Sequence, residues 1–111
     1  ACAKERVILA NEIVYDFEWN SAKALFNVGK HGVTLDQGAT VFLDPLALTV
    51  YDAPHSQDEE RWLTVGLDEG RKLLVVAHTY KITRPDNARV RLISARPATK
   101  RERQFYENEP R

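Results

Sequence analysis

This chain has little of what metal, redox or phosphate-loop chemistry requires. One cysteine, Cys2, and three scattered histidines, His31, His55 and His78, are its only thiol and imidazole groups in 111 residues. A single thiol forms no internal disulfide, and the histidines lack the paired spacing of a zinc site. The five glycines never cluster into a phosphate-cradling loop. No serine or cysteine stands in a triad-like pattern, and there is neither an internal repeat nor a low-complexity tract. The longest apolar runs, at 7–10 and 73–77, fall far short of a membrane span. With no basic-then-apolar leader, the expectation is a cytoplasmic setting, no membrane partner and no cofactor. Formal charge is also absent: sixteen bases offset sixteen acids, so no global field draws a polyanion.

What is present is unevenly placed. Between residues 36 and 69 there are eight acids and one base, Arg61, whereas from 81 to 111 there are nine bases and four acids. The field at a patch, rather than the total, steers a charged partner. Solvated faces account for many such charges, but one segment concentrates them in a pattern. From Val90 to Tyr106 an apolar β-run carrying Arg91 and Arg96 feeds directly into a short basic helix. Guanidinium groups at a strand end beside such a helix make a grip for phosphate oxygens.

Length and a hydrophobic content of 43% fit one domain with a core of its own. Residues 1–16 read as an N-terminal arm or edge strand, and 17–111 as the single domain. Alternation at 14–19 predicts a strand. Asn20 or Ser21 then caps a helix with Ala22, Leu25 and Phe26 as its apolar stripe, stopping at Gly32. Thr34 and Gln37 form a capping box for a second helix, with Leu35, Ala39 and Phe42 along one face, ending before Pro45. Strands follow at 46–51, 61–67, 72–81 and 89–96. Asp68-Glu69-Gly70 and Pro85-Asp86-Asn87 supply the turns, and the doubly apolar 72–81 strand belongs inside the sheet. Thr99 with Glu102 opens a last helix through a second capping box. The order is β-α-α-β-β-β-β-α, an α+β fold with a mostly antiparallel sheet and helices packed on it.

RNA cleavage by internal attack of the 2′-hydroxyl needs a base, positive charge on the developing phosphorane, and an acid for the departing 5′-oxygen. Candidates are Lys30, His31, Glu60, Arg61, His78, Arg91, Arg96 and Tyr106. Each has a plainer reading. Lys30 and His31 end a helix, where cations meet the dipole favourably. His78 suits a hydrogen-bonded core, and Glu60 with Arg61 a surface pair. Strict alternation puts Arg91 on the face of Ile93 and Ala95, where its charge needs a carboxylate or phosphate, and Arg96 on the other.

Taken together, several segments resemble the BrnT family of type II toxin–antitoxin ribonucleases. They are Phe17-Glu18-Trp19-Asn20-Ser21-Ala22-Lys23, Lys30-His31-Gly32-Val33, Ala39-Thr40-Val41-Phe42, Asp44-Pro45-Leu46-Ala47, Glu59-Glu60-Arg61-Trp62, Leu74-Val75-Val76-Ala77-His78-Thr79, and the run from Ile93 to Glu107. The resemblance implies a RelE-like fold and RNA endonuclease action without metal, with arrest of translation and growth. It also implies neutralisation by a BrnA-like ribbon-helix-helix antitoxin, so that DNA is met only through that partner. It places Lys30, His31, Glu60, Arg61, Arg91 and Arg96 on the family's polar motif positions. Lys100, Arg101, Arg103 and Tyr106 are then the expected RNA contacts. The rival expectation is a non-catalytic module that binds an antitoxin-like DNA-binding protein and co-regulates transcription.

Overall fold

The computed structural model describes residues 3–10 and 12–110; Cys2 and the very start of the expected arm lie outside them. β1 (Ala3–Ala10) forms one sheet edge and runs antiparallel to β2 (Ile13–Asn20), with Val7 opposite Asp16. On β2, Phe17 and Trp19 are buried while Asp16 and Glu18 point to the other side, as alternation requires. The Asn20 side chain accepts hydrogen bonds from the N–H groups of Ala22 and Lys23 at 2.9 and 3.1 Å and starts α1 (Ser21–His31). Gly32, at φ 68°, closes it by donating to the Val28 carbonyl at 2.8 Å.

The apolar stripe expected along α1 faces outward. Leu25 and Phe26 are 77% and 71% exposed, and the one buried residue of the helix is Asn27. Its amide donates to the Val33 and Ala95 carbonyls at 2.8 and 2.7 Å and accepts from the Ala95 N–H at 3.1 Å. Three buried hydrogen bonds to backbone fix which face turns inward, against the pull of the hydrophobic stripe.

α2 (Leu35–Thr40) opens with the expected reciprocal box, Thr34 N–H to Gln37 and Gln37 N–H to Thr34. One 3₁₀ turn, Val41–Leu43, brings the chain to Pro45. That turn packs so closely on the sheet that a Cβ at Gly66 would stand 2.8 Å from the Val41 side chain. β3 (Leu48–Tyr51), β4 (Trp62–Leu67) and β5 (Leu73–His78) form an antiparallel meander, with a 3₁₀ turn at Ala53–His55 in the acidic loop. The left-handed residue of the β4–β5 turn is Arg71, at φ 64°, rather than Gly70.

The strand expected across 72–81 stops at His78. Thr79 and Tyr80 leave the ladder, and β6 (Lys81–Arg84) turns through 85–86 to pair with β7 (Asn87–Pro97). β7 is the long central strand. It meets β2 in parallel on one side, and β6 then β5 antiparallel on the other, giving the order β1-β2-β7-β5-β4-β3. The described residues form an α+β fold, a mostly antiparallel open sheet with three α-helices. α1 and α2 cover one face, burying Phe17, Leu35, Ala39, Leu74, Val76, Val90 and Ala95. α3 (Lys100–Asn108), opened by the Thr99–Glu102 box, covers the other, where Tyr106 packs on Val65, Leu73 and Val75.

Candidate functional site

The face under α3 carries most of the charged groups that matter. On β7 the ladder pairs Ala77 with Ser94 but His78 with Leu92, so Ile93 is an extra, unpaired residue. Such a bulge reverses which residues face which way beyond it. Val90 and Leu92 point to the α1–α2 core before it and Ala95 does so after it. Arg91, opposite Glu18, and Arg96, opposite Val75, therefore share the α3 face. Strict alternation had put them on different faces and set Arg91 beside Ala95; the bulge overrides it.

The two guanidinium groups are held differently. Arg96 meets both oxygens of Glu102, at 2.7 and 2.8 Å. One of those oxygens also accepts the Thr99 N–H at 2.8 Å. Its hydrogen bonds from Arg96 pull the Glu102 carboxyl down to about 2, against the opposing effect of burial. Arg91 meets Glu59, a residue of the acidic loop that sequence reasoning passed over in favour of Glu60. The need of Arg91 for a carboxylate was the available signal. Glu60 is exposed, and Arg61 is half-buried at the mouth of β4, with its backbone bonded to Asp52 and Ser56. Arg89 lies near Asp16 and Glu18, at 3.9 and 3.5 Å.

Lys30 and His31 end α1 in the helix layer of the opposite face, so the six expected catalytic residues do not form one cluster. Lys100, Arg101 and Arg103 are exposed on α3. Tyr106 is not a surface contact: the residue is 8% exposed and its hydroxyl donates to Asp44 at 2.5 Å. Asp44 also accepts the N–H groups of Leu46 and Leu67, each at 2.9 Å, tying α3 to the sheet through a carboxylate given no role from sequence.

His78 is a hydrogen-bonded core residue, as its plainer reading held. Its Nδ1 donates to the Thr79 carbonyl at 3.0 Å, leaving Nε2 to accept from the Thr64 hydroxyl at 2.7 Å; Thr64 in turn lies 2.8 Å from Thr49. Burial pushes its pKa down to about 4, so the ring is neutral at physiological pH. Among the described residues no group of three or more His, Cys, Asp or Glu is placed to hold a metal ion, and no helix is long and apolar enough to cross a membrane.

A family model described as "Ribonuclease toxin, BrnT, of type II toxin-antitoxin system" matches residues 19–102. The chain belongs to the BrnT family. The matched span runs from Trp19 through Glu102 and so holds Glu59, Arg61, Arg91 and both members of the Arg96–Glu102 pair. It leaves out β1 and most of α3. Comparison with curated protein sequences gave no match. As a BrnT-family ribonuclease toxin of a type II system, the chain has RNA as its substrate class and an antitoxin as its partner.

Proposed function

We propose that this chain is a RelE-like endonuclease that cuts mRNA in the cytoplasm without a metal ion, arrests translation, and is neutralised by a BrnA-like ribbon-helix-helix antitoxin. The observation that carries the catalytic part is the exposed Arg91–Glu59 pair, with Arg61 lining the same hollow as Glu59. An RNA phosphate offers Arg91 two oxygens in place of the single Glu59 oxygen it meets. Its arrival releases Glu59, with Glu60 next to it, to take the proton of the 2′-hydroxyl. The 2′-oxygen then bonds to phosphorus, and the phosphorus–5′-oxygen bond breaks. The 5′-oxygen takes up a proton from water as it leaves, and a 2′,3′-cyclic phosphate remains. Arg91 and Arg61 meet the charge that grows on the phosphorane. Arg96 holds α3 in place for this step, and Lys30 and His31, across the sheet, are left to grip the RNA backbone.

The test is incubation of the purified, antitoxin-free chain with a labelled RNA in EDTA. Fragments ending in 2′,3′-cyclic phosphate are expected. Intact RNA from a folded protein, with and without ribosomes, would overturn the reading.

The partner reading rests on α1, whose outward Leu25, Phe26 and Val28 form an apolar face locked in place by Asn27. Exposed apolar faces of this kind mark protein interfaces. Changing Leu25 and Phe26 to Glu should spare growth arrest and abolish its relief by the antitoxin; relief that persists would place the interface elsewhere. A second reading, the non-catalytic module, draws on the same face and on the engagement of Arg89, Arg91, Arg96 and Arg103 by carboxylates. Harmless expression with tight complex formation would favour it.

A further inference from the structure

The α1–α2 side of the sheet holds a cleft of about 360 Å³ that no step above uses. Its walls are aromatic: Tyr15, Phe42, Trp62 and Tyr80, with Thr64 and His78 among its polar lining. The rings are held in place by one another. Phe42 makes an edge contact with His78 and a tilted one with Tyr15, at centroid distances of 5.0 and 5.4 Å. Trp62 is braced edge-on by Tyr51 at 5.0 Å.

Its hydrogen-bonding groups fall into two sets. Thr49, Thr64 and His78 are satisfied through the relay that ends on the Thr79 carbonyl. The Trp62 indole N–H and the Tyr15 and Tyr80 hydroxyls make no hydrogen bond to any described residue. Among the described residues no lysine or arginine lines the cleft, and the Asp44 carboxylate does. A phosphate is therefore a poor occupant. A flat, uncharged ring with donors and acceptors around its edge meets both the stacking surfaces and the free polar groups.

The position of the cleft links it to the proposed phosphate grip. Tyr80 follows Thr79, whose N–H donates to the Arg91 carbonyl at 3.0 Å and whose hydroxyl accepts the Arg91 N–H at 3.3 Å. Trp62 follows Arg61 directly. One wall of the cleft is thus the chain neighbour of Arg61, and another follows the residue bonded to the Arg91 backbone, the two arginines proposed to meet the phosphate on the other side. This placement exists because the β5 ladder breaks at His78 and β6 starts afresh at Lys81.

We propose that this cleft receives one nucleobase of single-stranded RNA while an adjoining phosphate meets Arg91. The site rests on the reading of the chain as an RNA-acting toxin, and names where that RNA is held. Stacking accepts any base, so this contact adds affinity with little sequence preference.

The experiment compares binding of two strands of equal length and charge: a five-nucleotide 2′-O-methyl RNA, which cannot be cut, and the same backbone without bases. The expected result is about ten- to a hundredfold tighter binding of the intact strand. Tyr80→Ala should remove most of that difference, and because Tyr80 is 43% exposed the change does not threaten the fold. Trp62→Phe, which keeps a ring and loses the N–H, should retain most of it. Equal binding of the two strands, or a Tyr80→Ala protein that still prefers the intact one undiminished, overturns the site. So does a Tyr80→Ala protein whose only defect is weaker antitoxin binding, since the occupant is then protein. Base-dependent binding without cleavage of unmodified RNA would keep this site and sink the ribonuclease mechanism. Cleavage with base-independent binding would do the reverse.

Discussion

Arg91 and Arg96 leave the same strand on the same face, and each meets a glutamate, yet the two pairs differ in what they are free to do. Glu102 is fixed three ways: to Arg96 through both oxygens, to the Thr99 N–H, and within the first turn of α3. Its side chain is 25% exposed. Glu59 rides on a loop, and both it and Arg91 are more than 40% exposed. An ion pair in that much water contributes little to stability, on the order of 0–1 kcal/mol, and so can be exchanged for a better anion at small cost. The first pair serves the fold and the second is available to a ligand.

The sharpest way to break that distinction is to remove each arginine in turn. Arg91→Ala should reduce RNA cleavage about 100-fold or more, as expected for loss of a transition-state charge partner, with a thermal midpoint close to the parent's. Arg96→Ala should instead lower stability by about 2–4 kcal/mol, because Glu102 loses the partner that holds α3 to β7. Cleavage assays beside urea unfolding of both proteins decide it. The same outcome in both assays for both variants would erase the comparison.

Acid sharpens it further. Two buried or clamped groups sit well outside their ordinary range, in windows that meet only near pH 4. The His78 pKa is depressed from 6.5 to about 4. The unfolded chain therefore takes up a proton between those values that the folded one refuses, and stability falls as pH drops through that window. The loss is on the order of 3 kcal/mol, and His78→Gln should flatten it. The Glu102 carboxyl is depressed from 4.5 to about 2, so its contribution is present above pH 4.5 and disappears as pH falls towards 2. Allowing for the part of the side chain that water reaches, that is on the order of 2 kcal/mol. Unfolding free energies measured from pH 7 to pH 2 should show both steps. Glu102→Gln should remove the lower one alone, and Glu59→Gln should leave both in place.

How much of this the sequence disclosed depended on whether the signal was local. Caps were legible: Asn20, Thr34 with Gln37, Thr99 with Glu102 and Gly32 each act within a few residues, and all took the expected places. The hairpin around residues 68–72 was legible for the same reason. The face of α1 was not, because Asn27 answers to Val33 and to Ala95, the latter far along the chain, and no periodicity encodes that demand. Nor was the shared face of Arg91 and Arg96, since a bulge at Ile93 is a property of two strands together. Tyr106 was misplaced because its anchor, Asp44, lies far away in sequence. The aromatic cleft draws its walls from four separate stretches of chain and leaves no pattern in any of them.

The smallest expected effect concerns the first turn of α3. Lys100 and Arg101 are exposed there, at the end of a helix where backbone N–H groups repel cations. Placed for the fold alone, they cost a few tenths of a kcal/mol each, and Glu102 in the same turn only partly offsets them. A bound RNA phosphate would turn both the charges and the free N–H groups to use. Lys100→Gln and Arg101→Gln should therefore act in opposite directions on two measurements. Thermal stability should rise slightly, by a few tenths of a kcal/mol for each change. RNA affinity should fall a few-fold with every sequence alike, and the slope of log affinity against log salt should shrink by about one per residue. Arg91→Ala is expected to change the rate far more than this, so the contrast separates a charge that holds RNA from one that meets the reacting phosphate. If the salt slope is unchanged while stability rises, the basic turn faces something other than RNA, and the grip proposed from the Val90–Tyr106 segment shrinks to β7 and the loop that carries Glu59.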